Sequence, residues 1–307
     1  MRKERTMKKT AKYRLRQAGA KRGTARSIKE NGAGIKDDDA GIEAFTSAMT
    51  DLLANASGPW AAELTNAFTQ LDFTPTGIDP DLGPDSIGRY LEGCIQSLPQ
   101  GKSPDNALAD FACNVARQLS WYQIFDGGGV DPGLERGMLA GQIVGTRGLY
   151  NVDRPNASTT DPDLYAGNLS AGNLYAGNLY AGLFLLAPGI YYPLHQHPAL
   201  EVYAVLSGNL TIHHGRSKPA MVIGPGQISI TPPWQVHSLT TGDHPCLVAY
   251  AWTGDLTGEN WWWQQDEEGQ WWRHCWERQA SSAWAPGRTE KLTPEEMHRA
   301  GDPDIEA

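Results

Sequence analysis

The fold of this 307-residue chain is decided by the stretch Gly189-Ile-Tyr-Tyr-Pro-Leu-His195-Gln-His197-Pro-Ala-Leu-Glu201-Val-Tyr-Ala-Val-Leu-Ser-Gly208. His195 and His197 are two residues apart, so on one strand both imidazoles point to the same face and can bind a single ion. Glu201 adds a hard anionic oxygen from the neighbouring stretch, and Gly208 marks the turn into the next strand. The pattern predicts a metal site built on β-strands.

A second stretch supplies the remaining ligand. It runs Gly226-Gln-Ile-Ser-Ile-Thr-Pro232-Pro-Trp-Gln-Val-His237 and would deliver His237 from the opposite wall. Three imidazoles and one carboxylate leave one or two positions open to water or substrate, which is typical of a catalytic rather than a closed structural site. The other histidines lie outside this pattern, and we assign them to surface or core: His213, His214, His244, His274 and His298.

The sequence around the two stretches is rich in short β-type runs separated by Gly and Pro. These runs are Phe184–Leu186, Val202–Leu206, Leu210–His213, Met221–Ile223, Ile228–Thr231 and Leu247–Trp252. Such spacing without intervening helices predicts an antiparallel sandwich or barrel. The Trp-rich segment that follows, 261–276, predicts a β-hairpin whose indoles pack against the barrel and helices, with an aromatic cage as the alternative.

The sequence before the barrel has a helical pattern. Apolar residues recur three and four apart between Ile42 and Gly148, at Phe45, Met49, Leu52 and Leu53 and again at Ala107, Phe111, Val115 and Leu119. We therefore expect an α-helical N-terminal portion over residues 41–160, with Trp121 and Tyr122 in its core, and an α+β fold overall. The barrel with its hairpin is expected over 183–285, and a polar C-terminal tail over 286–307.

Two segments fit neither part. Residues 161–182 contain a short Ala-Gly-Asn-Leu repeat with too few units for a solenoid, so we interpret it as a duplicated loop leading into the first barrel strand, with tyrosines that could border the barrel mouth. Residues 1–40 are basic and poor in apolar anchors, which predicts a disordered, solvated tail. A nucleic-acid arm or a transit peptide is the alternative for this tail.

Charge and cysteine usage limit the partners. Residues 1–36 hold 13 of the 26 Lys and Arg, and residues 37–307 carry 13 basic against 33 acidic groups. A body that acidic is a poor nucleic-acid binder, so we expect a small-molecule ligand.

The four cysteines are widely spaced without a Cys-x-x-Cys motif, and no apolar run approaches the roughly 20 residues of a membrane span. We therefore expect a cytoplasmic protein with no membrane partner.

Two tyrosines lie close to the ligands in the sequence. Tyr203 is two residues after Glu201, so it shares a face with that ligand, and Tyr192 is three residues before His195. A divalent cation can depress the pKa of a nearby phenol and produce a phenolate able to remove a weakly acidic proton. The sequence thus favours Tyr203 as a catalytic base.

The spacing of both stretches resembles the two motifs of the cupins, which form a double-stranded β-barrel of the jelly-roll type. The sequence departs from the second motif at Trp234, where a glycine is usual, and at Thr241, where an asparagine is usual. More narrowly, the string Ala187 to Tyr203 and the later Pro232-x-x-x-x-His237 resemble the cupin-type dimethylsulfoniopropionate (DMSP) lyases.

That resemblance implies cleavage of DMSP, a zwitterion, to dimethyl sulfide and acrylate. By position, the metal ligands would be His195, His197, Glu201 and His237, with Tyr203 as the base and Tyr192 holding substrate. The same ligands accept Fe, Mn, Zn, Ni or Co, so the divalent transition metal stays open. Cupins often pair their barrels, which makes a homodimer one option.

The sulfonium group calls for an aromatic wall, because cation–π contact stabilises a partly desolvated cation. Candidates are Tyr192, Trp234, Tyr250 and Trp252. Two other functions remain open: an iron-dependent cupin dioxygenase acting on a small carboxylate or thiol, and a non-catalytic small-molecule-binding cupin. A tyrosine beside the ligand glutamate favours the lyase.

Overall fold

The computed structural model describes residues 39–77, 86–99, 106–125, 130–145, 147–153, 179–216, 218–256, 259–278 and 284–301. The predicted basic tail, apart from the start of the first helix, lies outside the described residues. The Ala-Gly-Asn-Leu repeat up to residue 178 also lies outside them.

Six α-helices are present in the described residues, most of them before the barrel. They are α1 (Asp39–Ala54), α2 (Pro59–Thr69), α3 (Ser86–Gln96), α4 (Ala107–Val115), α5 (Pro132–Gly137) and α6 (Pro294–Arg299). The predicted apolar stripe of α1 is buried, with Phe45 and Met49 fully inaccessible to solvent. Within the described residues, no helix has both the length and the apolar content that crossing a bilayer requires.

Fifteen strands form two sheets in the described part of the chain. The first sheet contains β1 (Asp72–Pro75), β2 (Trp121–Gln123), β3 (Met138–Val144), β4 (Tyr150–Asp153), β5 (Leu179–Leu186), β7 (Ala199–Ser207), β10 (Ile228–Thr231) and β12 (Cys246–Gly254). The second contains β6 (Tyr191–Gln196), β8 (Leu210–His214), β9 (Met221–Ile223), β11 (His237–Thr241), β13 (Asn260–Gln265), β14 (Trp271–Arg278) and β15 (Trp284–Lys291).

The strand order gives the architecture. The first sheet runs β1-β4-β3-β5-β12-β7-β10 with β2 beside β3, and the second runs β15-β14-β13-β6-β11-β8-β9. Successive strands from β5 to β8 alternate between the two sheets, and every pairing in the barrel is antiparallel. The predicted α+β fold with a double-stranded barrel is confirmed.

Strand β7 shows how the sequence divides the core into two layers. Alternate side chains of a strand point to opposite faces. Leu200, Val202 and Ala204 belong to the cluster that packs with the helices, whereas Tyr203 and Val205 belong to the cluster between the sheets. Both faces of β7 are therefore buried, and the interleaved position of Glu201 places it inside the barrel.

The predicted boundaries differ from the structure on both sides of the barrel. The portion expected to be helical also contains β1 to β4, because the apolar run Met138–Val144 is buried on both faces and pairs with β5. The expected polar tail contains β15 and α6 instead. Its few apolar side chains suffice, since Leu292, Met297 and Ala300 pack in one small cluster with Leu194, Val236 and Trp263.

Candidate metal centre and adjoining cavity

Three histidines converge inside the barrel. His195 lies on β6 and His237 begins β11, and the pairing of these strands sets the two residues directly opposite each other. The prediction placed His197 on the same strand as His195, but β6 ends at Gln196 and His197 lies in the link to β7. One ring nitrogen from each histidine nevertheless lies within 4.8 Å of the other two.

Glu201 reaches the same point from the first sheet. Its Oε2 lies 3.3 Å from Nε2 of His197 and 3.2 Å from Nε2 of His237, and the residue is fully buried. The two walls of the barrel therefore bring together all four side chains that the motifs single out.

Backbone carbonyls fix the tautomer of each imidazole. Nδ1 of His195 donates to the Pro193 carbonyl at 2.8 Å, and Nδ1 of His237 donates to the Gln235 carbonyl at 2.9 Å. Nδ1 of His197 lies 3.2 Å from the Ala199 carbonyl. Because a carbonyl oxygen only accepts, each Nδ1 carries a proton, and in the neutral imidazole Nε2 then directs a lone pair into the barrel.

That arrangement fits a cation. In that neutral form the Nε2 atoms of His197 and His237 and the carboxylate oxygen that they face are all hydrogen-bond acceptors. Nε2 of His237 is buried without a hydrogen-bond partner. Buried polar atoms are rarely left without partners, and a positive ion between these groups would satisfy them together.

The charge states suit the same purpose. Burial opposes ionisation of Glu201, but its interactions with His197 and His237 outweigh burial and hold the pKa of its carboxyl well below the usual range. Burial, followed by repulsion from His237 and His197, lowers the pKa of His195 well below 6.5. At neutral pH Glu201 is therefore an anion and His195 a neutral imidazole, which are the forms that bind metals.

Tyr203 and Trp252 both interact with the Glu201 carboxylate. The Tyr203 side chain is 1% exposed and is coupled electrostatically to this carboxylate. The Trp252 indole N–H donates to Oε1, and its ring lies 4.7 Å from that of His197. Burial and the adjacent carboxylate raise the pKa of Tyr203, so the phenol is protonated in the metal-free protein.

Tyr192 lies on the other side of the histidines. Its ring stacks on His195 with 3.7 Å between centroids and 16° between planes. Its hydroxyl accepts a 2.7 Å hydrogen bond from Nδ2 of Asn260, and both residues are buried. Tyr192 therefore links the imidazole cluster to the start of β13.

A cavity adjoins this cluster inside the barrel. It is lined by Tyr122, Ile124, Met138, Ala140, Gln142, Tyr180, Phe184, Tyr192, Tyr203, Tyr250, Trp252 and Asn260. Seven of these described lining residues are aromatic, and none of them carries a charge. Such a lining suits a small ligand with an apolar or cationic part.

Three of the four residues predicted for the aromatic wall line this cavity: Tyr192, Tyr250 and Trp252. The fourth, Trp234, does not. It follows β10, is 42% exposed, and adopts φ 64° at the position where the cupin motif usually has glycine. Its contribution is a backbone one, because its N–H donates to the His197 carbonyl at 2.8 Å.

Sequence reasoning missed seven lining residues: Tyr122, Ile124, Met138, Ala140, Gln142, Phe184 and Asn260. Tyr180, at the end of the repeat, is one of the tyrosines expected to border the barrel mouth. Tyr122 was expected in the helical core, and only the pairing of β2 with β3 brings it to the cavity. The position of Phe184 on a predicted strand was a usable signal. Asn260 is a single polar residue before three tryptophans, and the sequence gave no signal that it would reach the cavity.

The Trp-rich segment forms a hairpin, as predicted. Strands β13 and β14 pair antiparallel from Asn260 opposite Trp276 to Gln265 opposite Trp271. Trp261, Trp263 and Trp276 are buried, and none of these three lines the cavity. The indoles belong to the packing of the second sheet rather than to a cage.

Comparisons with known proteins agree with the motifs. A family model for dimethylsulfoniopropionate lyase matches residues 170–248. DMSP lyase DddQ of Ruegeria pomeroyi is 38% identical over 68 residues, which cover 22% of this chain and 33% of that protein. The putative DMSP lyase DddL of Cereibacter sphaeroides is 40% identical over 72 residues, covering 23% and 29%. The matched segment spans a third or less of each relative.

The structural likeness is more extensive. The crystal structure of DddQ from Ruegeria pomeroyi matches this chain with a TM-score of 0.50 at 20% identity, covering 72% of this chain and 95% of that one. At this identity the likeness shows the fold. Together, the comparisons confirm the resemblance to cupin-type DMSP lyases that the motifs indicate.

Proposed function

We propose that this protein is a metal-dependent carbon–sulfur lyase that cleaves dimethylsulfoniopropionate to dimethyl sulfide and acrylate by β-elimination. The observation that carries the proposal is the position of Tyr203. It lines the cavity and is coupled electrostatically to Glu201, so a candidate base lies at the boundary between the ligand cluster and the space for substrate.

In this proposal His195, His197, Glu201 and His237 hold a divalent transition ion. When bound, such an ion supplies Lewis acidity, drawing charge from the substrate carboxylate and making the neighbouring C–H bond more acidic. Burial and, after it, the negative charge of Glu201 raise the pKa of Tyr203, and a cation bound to Glu201 would offset the second of these causes. The phenol can then lose its proton and act as a base.

The elimination balances without an oxidant or a reductant. Tyr203 as phenolate takes a proton from the carbon next to the carboxylate. The electrons of that C–H bond form the new double bond to the β-carbon. The bond between the β-carbon and sulfur breaks, and its electron pair leaves with sulfur. Dimethyl sulfide departs neutral, acrylate remains, and Tyr203 returns its proton to solvent.

The remaining cavity residues have supporting roles in the proposal. Tyr192, Tyr250 and Trp252 surround the sulfonium group with electron-rich ring faces. Trp252 also fixes the orientation of Glu201, since its N–H donates to Oε1. The apolar lining excludes water, which strengthens both the cation–π contacts and the effect of the base.

The direct test is product analysis. Metal-loaded protein incubated with DMSP should release dimethyl sulfide and acrylate in equal amounts, followed by gas chromatography and proton NMR, and a chelator should stop the reaction. If the metal-loaded protein instead consumes oxygen with a small carboxylate or thiol and releases no sulfide, it is a dioxygenase.

A further inference from the structure

The cavity contains a buried polar atom that the proposed mechanism does not use. Among the described residues, four buried side-chain polar atoms lack a hydrogen-bond partner: Ser229 Oγ, His237 Nε2, Asn260 Oδ1 and Trp262 Nε1. A bound cation accounts for His237. Asn260 also lines the cavity, and it is 1% exposed. Its oxygen therefore needs a separate explanation.

One end of the Asn260 amide is hydrogen-bonded to its neighbour. Nδ2 donates to the Tyr192 hydroxyl at 2.7 Å, which leaves Oδ1 as the free end of the group. An amide oxygen only accepts hydrogen bonds and is the negative end of the amide dipole. Its preferred ligand is thus a donor or a positively charged group.

The other lining residues make a cation the better match. None of the described lining residues carries a carboxylate, and the remaining amide oxygen among them, Oε1 of Gln142, already accepts from the Arg147 N–H at 2.9 Å. The aromatic faces attract a positive charge but provide no localised acceptor. Asn260 supplies the one amide oxygen in the lining that has no partner.

We propose that Asn260 is a specificity-determining residue whose Oδ1 contacts the polarised methyl groups of an onium cation and so selects charged substrates over neutral ones of the same shape. This inference rests on the proposed function and names the group that recognises the sulfonium end of the substrate. Its hydrogen bond to Tyr192 keeps the oxygen in place.

A pair of isosteric ligands tests the proposal. 3-(Trimethylammonio)propanoate carries an onium group, and 4,4-dimethylpentanoate has a neutral carbon in place of the nitrogen. Calorimetry on Co²⁺-loaded protein gives the ratio of the two affinities. We expect the wild type to prefer the onium ligand and Asn260→Leu to lose about ten-fold of that preference, because a contact to a charged group is removed. Affinity for the neutral ligand should stay the same.

Further variants keep the test decisive. Asn260→Asp retains an oxygen at this position and should keep or increase the preference, which a purely structural role of the amide would not produce. Asn260→Ala removes the oxygen without adding bulk and replaces the Leu variant if that one fails to fold. An unchanged preference in the folded variant would overturn the inference.

The test of Asn260 can fail without the proposed lyase function failing, and the reverse also holds. Dimethyl sulfide release by the wild type with an unchanged preference in the variant would remove Asn260 from recognition and leave the lyase intact. A changed preference in a protein that releases no sulfide would keep the onium site and overturn the lyase.

Discussion

The indole N–H of Trp252 donates a hydrogen bond to Oε1 of Glu201, while Oε2 of the same carboxylate faces two imidazoles. One side chain thus borders the cavity and orients a candidate metal ligand. Hydrogen bonds of this kind typically change metal affinity by about 10–100-fold. Several consequences of the arrangement can be measured.

The Trp252 indole should matter for metal affinity as well as for the cavity wall. Trp252→Phe keeps an aromatic face but removes the N–H, so we expect affinity for Co²⁺ to fall by about ten-fold or more. Competition with a chromogenic chelator measures this change. Equal affinity in the variant and the wild type would show that the hydrogen bond does not orient Glu201.

Removal of His237 should abolish stoichiometric metal binding. This residue supplies one of the three converging imidazoles and a buried Nε2 without a partner. His237→Ala should therefore purify with little metal, measured by elemental analysis, and the visible spectrum of added Co²⁺ should resemble that of the free ion. The exposed His244 provides the matched control, and His244→Ala should bind one metal per chain.

Helix α6 should influence the metal centre through the loop before His237. The Gln235 side chain donates to the Ala300 carbonyl at 3.1 Å, and the Val236 N–H donates to the same carbonyl at 2.9 Å. The Gln235 carbonyl in turn accepts from His237. Gln235→Ala should therefore weaken Co²⁺ binding by several-fold or more.

A matched control for this prediction is Gln265→Ala. Its side chain also donates to a backbone carbonyl, that of Gly269 at 2.9 Å, but at the exposed tip of the hairpin. This variant should bind Co²⁺ like the wild type. Equal losses in both variants would indicate general destabilisation rather than positioning of His237.

The metal-free protein should lose stability as the pH falls from 7.5 to 5.5. Burial, then repulsion from His237, lowers the pKa of His214 to about 4, and burial also lowers that of His195. Below about 6.5 the unfolded chain binds protons that the folded chain does not, so the free energy of unfolding falls by up to about 1.4 kcal/mol per pH unit for each group. Urea unfolding at several pH values should show this slope.

His214→Gln should reduce the slope of the free energy of unfolding against pH by the part that His214 contributes. The low pKa of Glu201 does not contribute in this range, since that carboxyl is ionised in both states above pH 5.5. If the free energy of unfolding varies with pH identically in the variant and the wild type, His214 does not contribute to the loss of stability.

Substitution by alanine should destabilise the protein to different extents at two glycines that have similar backbone angles. Gly208 has φ 79° and Gly226 has φ 80°. A Cβ on Gly208 would lie 2.3 Å from the Pro245 carbonyl oxygen, whereas a Cβ on Gly226 meets nothing within 4 Å. Gly226→Ala should cost about 1–2 kcal/mol from the left-handed conformation alone. Gly208→Ala should cost clearly more, measured by urea unfolding, and equal costs would contradict the packing described.

The motif spacing predicted that His195, His197, Glu201 and His237 converge, because side chains that bind one ion must meet at a point, which constrains their sequence positions tightly. The strands of the barrel were also predictable, since each is a short apolar run between turn residues. His197 was placed on the wrong element because two-residue spacing does not distinguish a strand from its first link residue.

The cavity wall was less predictable, because it depends on how distant elements pair. Tyr122 reaches the cavity only through the pairing of β2 with β3, and Asn260 only through the pairing of β13 with β6. Trp234 was chosen because it is aromatic and near His237, yet its positive φ belongs to a turn and its side chain is exposed. The C-terminal helix was missed because three apolar residues in a polar stretch give a weak periodic signal.

The measurement that tests the central claim most directly is dimethyl sulfide release under anaerobic conditions by the metal-loaded wild type and by Tyr203→Phe. We predict sulfide from the wild type without oxygen and, with both proteins saturated with Co²⁺, a loss of about 100-fold or more in the variant. Full activity in the variant, or no sulfide from a wild type that holds its metal, would contradict it.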